Sequence, residues 1–278
     1  MRISLLICTI LVFIGSIFAQ EGIAYRNASY FIEKSYDVNQ KFGKNKMRLM
    51  TISTGSYDSL GNHVLINKTK GNLNYEGKTV VLRDSEPNTW EIRNYNYMGN
   101  LIDRWVKITE ADPREYTEIQ YSSKGKIVSK SSVRIDSLKM HQWDFVYNEL
   151  GYVPSYFEVE TDTSGLVTKK IKYDYGDNPV ETTLFLYNEQ KSLLSAIVYD
   201  VDNKVTSKTI YVYDERNNLI KLTGYDKQGH EDYIEEWSYD DLGRMMIYNY
   251  YIFDARFGGI PKLRKTKTYE YIDRLSIR

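Results

Sequence analysis

The sequence predicts an all-β protein, one long antiparallel meander of about 12–16 strands forming an open, twisted or partly rolled repeat sheet, with a closed β-barrel as the alternative. Three observations lead there. A Tyr-Asp turn motif recurs along the chain, the copies are spaced in a strict alternation, and the composition favours half-buried strands over a thick core: 26 tyrosines stand against nine phenylalanines. Tyrosine packs its ring on a pleated surface while its hydroxyl stays wet.

The motif is clearest at Tyr57-Asp58-Ser59-Leu60-Gly61, Tyr225-Asp226-Lys227-Gln228-Gly229 and Tyr239-Asp240-Asp241-Leu242-Gly243. Taking the first position as an anchor, degenerate copies stand at Tyr95, Thr109, Tyr121, Ile135, Tyr147, Thr161, Tyr173, Tyr187, Tyr199, Tyr213, Tyr225, Tyr239 and Phe253. Successive anchors are 14 and 12 residues apart in turn, with a final 14, so that two strands and two turns make a unit of 26 residues. Turns after Tyr95, Tyr121, Tyr147, Tyr173, Tyr199 and Tyr225 fall at one edge of the sheet, and those after Thr109, Ile135, Thr161, Tyr187, Tyr213 and Tyr239 at the other. Each strand is then about eight residues long.

The turn chemistry follows from the same residues. Asp or Asn after the anchor accepts hydrogen bonds from the turn backbone, and Gly or Asn four residues after the anchor supplies the positive φ of a tight reversal. Within a strand, alternation places Val205, Ser207, Thr209, Tyr211 and Tyr213 on one face and Lys204, Thr206, Lys208, Ile210 and Val212 on the other. Lys221 and Glu235 are expected on the tyrosine-bearing side, a mixed polarity that argues against a two-sheet sandwich.

The ends divide the chain. Residues 1–19 read as a signal peptide, with Arg2, an apolar run to Phe18 and a small residue, Ala19, at the cut. Residues 20–56 are expected to cap the first edge strand, with Tyr36-Asp37-Val38-Asn39 as a decayed turn, and 57–278 form the repeat domain. The single cysteine, Cys8, lies in the signal segment, so the exported chain is expected to have no thiol for disulfides, metal or nucleophilic chemistry. Basic and acidic residues balance at 37 each, which gives no field for nucleic acid, and no later apolar run is long enough for membrane insertion. The expected address is periplasmic, cell-surface or extracellular.

Tyr213-Asp214-Glu215-Arg216-Asn217-Asn218-Leu219, with its Gly/Asn position and following aliphatic, resembles the YD repeats of the Rhs family. The likeness runs from about Tyr57 to Arg278 and also resembles short exported proteins of Bacteroidetes-type bacteria. It implies a β-shell around a cargo or an adhesive surface. The array here is short and its turn-to-turn spacing of 12 and 14 residues is tighter than the family's repeat of about 20 residues, so enclosure of a cargo is not expected. An immunity-type, toxin-neutralising role follows from the resemblance alone.

Chemistry is sparsely signalled. His63 and His230 follow turn glycines and read as solvated, while His141 in His141-Gln142-Trp143-Asp144 has no nucleophile beside it by motif. Asp200 and Asp202 mimic the first half of a calcium loop, but the twelfth position is Tyr211 rather than a bidentate glutamate, and turn formation is the simpler role. Asp174 with Asp177 and Asn178 is a weaker version. No metal, cofactor or catalytic group is assigned. Glu235-Glu236 and Asp240-Asp241 are adjacent in sequence and point to opposite faces, unlike a glycosidase pair. The candidate binding surface is an aromatic face: Tyr233, Trp237 and Tyr239 on one strand, Tyr248 and Tyr250 on the next. The leading expectation is a non-catalytic exported protein whose β-surface binds or scaffolds an unknown partner, a protein or glycan of the envelope. The alternative is carbohydrate binding or processing on that aromatic face.

Overall fold

The computed structural model describes residues 28–41, 44–58, 63–72, 74–83, 88–111, 115–136, 139–148, 151–174, 176–253 and 259–273, with side chains of 135–156 and of a few strand-end residues outside the description. The expected signal segment, with its expected cut at Ala19, lies outside these residues, as do the side chains of His63, His141, Trp143 and Asp144.

Every regular element described is a strand. The first nine are β1 (Ala28–Lys41), β2 (Lys44–Tyr57), β3 (His63–Lys70), β4 (Tyr75–Arg83), β5 (Thr89–Asn96), β6 (Leu101–Thr109), β7 (Tyr116–Ser122), β8 (Ile127–Asp136) and β9 (Lys139–Asn148). They continue as β10 (Gly151–Thr161), β11 (Val167–Tyr173), β12 (Pro179–Tyr187), β13 (Leu193–Tyr199), β14 (Val205–Tyr213), β15 (Leu219–Tyr225), β16 (Glu231–Tyr239), β17 (Met245–Phe253) and β18 (Pro261–Asp273). All eighteen belong to one antiparallel sheet in which each strand pairs with its neighbours in sequence. The count exceeds the expected 12–16: β1 to β4 precede the regular spacing, and of these only β2 ends on a clear copy of the motif, at Tyr57.

From β10 to β17, strand ends fall on the anchors: Thr161, Tyr173, Tyr187, Tyr199, Tyr213, Tyr225, Tyr239 and Phe253. The turns between them share one geometry. After Tyr199, the Asp200 carbonyl accepts from Asn203 N at 3.1 Å, Asp200 N donates to the Lys204 carbonyl at 3.0 Å, and Asn203 takes φ 59°. That is a type I turn followed by a left-handed residue and a bulge, the common three-residue hairpin loop. The left-handed position is four residues after the anchor throughout: Gly165, Asn217, Gly229 and Gly243 fill it as expected, whereas Asp177 and Lys191 bear the strain of a side chain at φ 59° and 65°. The register shifts at the anchor in each case.

The bulge also redistributes side chains between faces. Tyr213 pairs with Leu219 and Tyr211 with Leu222, three residues on instead of two. Lys221 therefore shares the other face with Val212 and Glu236, against the sequence expectation, while Glu235, opposite Leu222 and Tyr250, is on the tyrosine side as expected. Val205 is displaced in the same way, pairing with Tyr199 on the opposite face from Tyr211.

Two features of the N-terminal region correct the sequence reading. Tyr36-Asp37-Val38-Asn39 is not a turn but the interior of β1, with Tyr36 opposite Leu49 and Val38 fully buried opposite Met47. Burial between two neighbours outweighs a turn signal that lacks the glycine. Residues expected as a cap thus form β1 and most of β2, the two longest strands at 14 residues each.

β1 is hydrogen-bonded on both sides. Besides β2 it pairs with β18, from Ala28 opposite Asp273 to Asp37 opposite Lys265. The sequence favours an open sheet first and a closed barrel second; this ladder is the pairing that the second requires. Ion pairs cross it on both faces, Lys34 to Glu270 at 2.6 Å on one and Lys267 to Glu33 at 3.0 Å on the other.

Apolar burial concentrates on the tyrosine-bearing face. Leu193, Ala196 and Tyr211 form one cluster with Phe185, Tyr187, Tyr213, Leu219 and Leu222 packed against it, and Ala28, Phe31 and Tyr57 form another with Ile66 and Tyr271. Both are local to a few strands, so the sheet is held by cross-strand packing more than by one central core.

Candidate functional site

Gly224 is the starting point of the aromatic face. A Cβ at this position would lie 2.1 Å from Tyr233 Cε1, so the absence of a side chain lets the Tyr233 ring lie flat over β15. Tyr233 stands 6.2 Å from Tyr250, and Trp237 stands 5.7 Å from Tyr248, its direct partner in register. Both pairs are tilted, as aromatic quadrupoles prefer. The structure therefore brings together Tyr233, Trp237, Tyr248 and Tyr250. Tyr239 is separate in role: its hydroxyl donates to the Leu219 carbonyl at 2.8 Å and fastens the turn.

Sequence reasoning placed Glu235 on the tyrosine-bearing side but gave it no role in the aromatic site. Burial raises its pKa, against the opposing pull of a hydrogen bond from Tyr248 and the charge of Lys265. Tyr248 is raised in turn, by burial first and then by the Glu235 charge. Glu236 faces away, opposite Lys221 and Asn249, as alternation requires. A lone carboxyl among phenols can hold or release a proton, but glycoside hydrolysis needs a second acid on the same side.

Beyond Tyr248 and Tyr250, the same face continues across the β18–β1 ladder. Lys265 is opposite Tyr250, and Lys267 is opposite Tyr248 and Ser35. The face then opens into a recess of about 710 Å³. Its floor is small or hydroxylated: Ser53, Gly77 and Thr79. A Cβ on Gly77 would lie 2.0 Å from the Tyr95 carbonyl oxygen, and its φ of 152° also favours glycine. Aromatic walls come from Phe31, Tyr57, Tyr95, Tyr269 and Tyr271, and polar groups from Glu33, Lys68 and Asp103. Thr79 donates to Asn94 at 2.6 Å and Asn94 to Asp103 at 2.6 Å, a chain that fixes the amide.

The cation candidates are turn caps. Asp200 Oδ1 accepts from Asp202 N and Lys204 N, both at 2.9 Å, while Asp202 pairs with Lys204 at 3.3 Å. Asp174 Oδ1 accepts from Gly176 N and Asn178 N in the same manner, and these bonds hold its carboxyl below the ordinary range. Among the described residues no group of three or more His, Cys, Asp or Glu side chains is placed to hold a metal ion. His230 is exposed beside Asp226 at 3.5 Å.

No family model matches the sequence, and no curated protein matches it. Among solved structures, similarity is found to a porin-like protein from Bacteroides uniformis at 12% identity and TM-score 0.31, covering 88% of this chain and 98% of that one. A porin-like protein from Bacteroides vulgatus matches at 10% identity and TM-score 0.33, covering 86% and 97%. A putative outer membrane lipoprotein-sorting protein domain from Vibrio parahaemolyticus matches at 9% and TM-score 0.17, covering 93% and 91%. These are distant superpositions, and they assign this chain neither a family nor an activity.

Proposed function

We propose that the protein is an exported, non-catalytic binding protein of the cell envelope or its surroundings, whose sheet closes through β1 and β18 and turns its tyrosine-bearing face inward as the binding surface. The observation that carries this reading is the β1–β18 ladder lying beside the recess: strands from the two ends of the chain, Phe31 and Tyr57 with Tyr269 and Tyr271, line one hollow. A volume of about 710 Å³ is within the range of small-ligand sites. Export rests on the signal-like residues 1–19.

The opposite face is mixed: exposed Leu184, Leu186, Val212 and Ile247 share it with Lys34, Lys208, Lys221 and Glu236. The charges interspersed along its strands support a water-facing exterior. A lysine at the middle of a lipid-facing strand costs about 2–4 kcal/mol, and a transmembrane barrel instead carries an apolar band outside. No helix among the described residues is long and apolar enough to cross a membrane, which leaves only the strands to consider.

A cysteine pair at positions 30 and 272, which are opposite one another across the ladder, tests the closure in a chain whose only native cysteine is Cys8. The expected result for Tyr30→Cys with Ile272→Cys is a rapid intramolecular disulfide in the native state. Failure of the bond to form, with a single-cysteine control folded, argues for an open sheet. Non-catalytic action is tested by a hydrolysis panel over glycans, peptides and esters; turnover abolished by Glu235→Gln would refute it.

A further inference from the structure

The recess and the aromatic pair beside it differ from an ordinary apolar pocket in the charges they hold. Lys267 is engaged by Glu33 at 3.0 Å. Lys68 and Lys265, by contrast, have no ion pair or hydrogen bond among the described residues, although both project from the same face. Lys68 is opposite Ser53 and Gly77, and all three line the recess. Lys265 is pushed down from the usual lysine range by desolvation and then by the charges of Lys267 and Lys68, against Glu33 and Glu235.

The surroundings narrow the class of ligand. An apolar molecule seated here would strip water from Glu33, Lys68 and Asp103 and return no hydrogen bonds, which disfavours it. A hydroxyl-rich molecule replaces that water with its own donors and acceptors. Half-buried rings, Trp237 against Tyr248 and Tyr269 with Tyr271 at the wall, offer flat faces to the C–H side of a pyranose. A carboxylate on the same molecule meets the unpaired ammonium groups in a charge-assisted bond.

We infer that the concave face across β17, β18 and β1–β3 binds an acidic oligosaccharide, with rings of the tyrosine face under the sugars and Lys68 and Lys265 on the carboxylates. This rests on the reading of that face as the binding surface. It adds a ligand class and names two residues that recognise it.

Calorimetric titration of the purified exported chain with a short oligogalacturonate, and with the same oligomer methyl-esterified to neutrality, is the direct test. The expected result is binding of the acid form at least tenfold tighter than the ester, a difference that shrinks with added salt and disappears in Lys68→Gln with Lys265→Gln. Both lysines are exposed, so the double variant is expected to fold. Equal affinity for acid and ester overturns the lysine assignment, and equally tight binding of a poly-glutamate peptide overturns the saccharide. Absence of binding by every probe in a chain whose 30–272 cross-link forms overturns the ligand class alone; absence of the cross-link overturns the closure on which it rests.

Discussion

The two edges of the repeat sheet use the same turn and differ in what the turn touches. At the edge following Thr161, Tyr187, Tyr213 and Tyr239, successive hairpins are stitched together. The Tyr187, Tyr213 and Tyr239 hydroxyls donate to the carbonyls of Val167, Leu193 and Leu219 at 2.9, 3.0 and 2.8 Å, each the first residue of the preceding strand. Tyr271 repeats the bond to Met245 at 2.7 Å. Turn also meets turn: Ser192 Oγ donates to Asn217 Oδ1 at 2.5 Å, and Arg216 donates to the Asp241 carbonyl at 2.8 Å. At the edge following Tyr173, Tyr199 and Tyr225, the turns of Asp174, Asp200 and Asp226 are held by their own aspartates. The difference arises from the bulges. Each shifts the face by one residue, so anchors at the first edge point to the packed tyrosine side and those at the second point away from it. One local motif thus has two tertiary roles, a rivet at one edge and a plain reversal at the other.

Truncating an anchor separates the two most sharply. Tyr213→Ala is expected to cost about 3 kcal/mol or more, because the ring leaves a cluster around Tyr211 and Leu193, whereas Tyr199→Ala should cost less than about half of that. Denaturant midpoints of the pair measure it, and equal losses would erase the distinction between edges.

Removing only the hydroxyl isolates the rivet. Tyr213→Phe should lose about 1 kcal/mol as the Leu193 carbonyl loses its donor, and Tyr199→Phe should stay within about 0.5 kcal/mol of the parent. The turn cap should depend little on its edge: Asp200→Ala and Asp214→Ala are expected to agree within about 1 kcal/mol, since both carboxylates accept the same two backbone bonds and Asp214 adds one from Asn218 Nδ2 at 2.9 Å.

The pH dependence should follow the same division. Burial pushes the Tyr187 and Tyr213 phenols up to about 12. A raised acid contributes stability that is complete below its unfolded value of about 10 and is lost as pH climbs through the folded value, so the riveted edge should loosen between about pH 10 and 12. Hydrogen-exchange protection in β12 to β16 would report it. The Asp162 and Asp174 carboxyls are lowered by backbone donors and have the opposite sign, their contribution being present above about pH 3.9 and lost on further acidification. Glu235 is raised by burial and so favours the fold in its protonated form. Glu235→Gln should flatten the stability curve above about pH 4.3 and gain less than about 1 kcal/mol at neutrality.

Much of this was legible in the chain because a hairpin is a local object. The Tyr-Asp anchors marked the ends of the strands from β10 to β17, and the residue four places on marked the left-handed position, even where Lys191 fills it. Four of the five aromatic candidates assemble as alternation requires, while Tyr239 is taken by the Leu219 carbonyl. Lys221 and Val205 went to the wrong face because counting by twos does not register a bulge. The recess was invisible, since Phe31 and Tyr271 have no relation in sequence that a periodicity reveals.

The sequence by itself determined the unit: a strand, a three-residue turn with an aspartate cap, and an alternation of 14 and 12 that sets two edges. These depend on φ preferences and hydrogen bonds within a few residues. Only the tertiary structure decided that β1 lies against β18, which anchors ride on the packed face, and where the small residues Ser53 and Gly77 open a hollow. Those outcomes depend on the register of strands some 240 residues apart and on twist accumulated over the sheet, and no local preference encodes either.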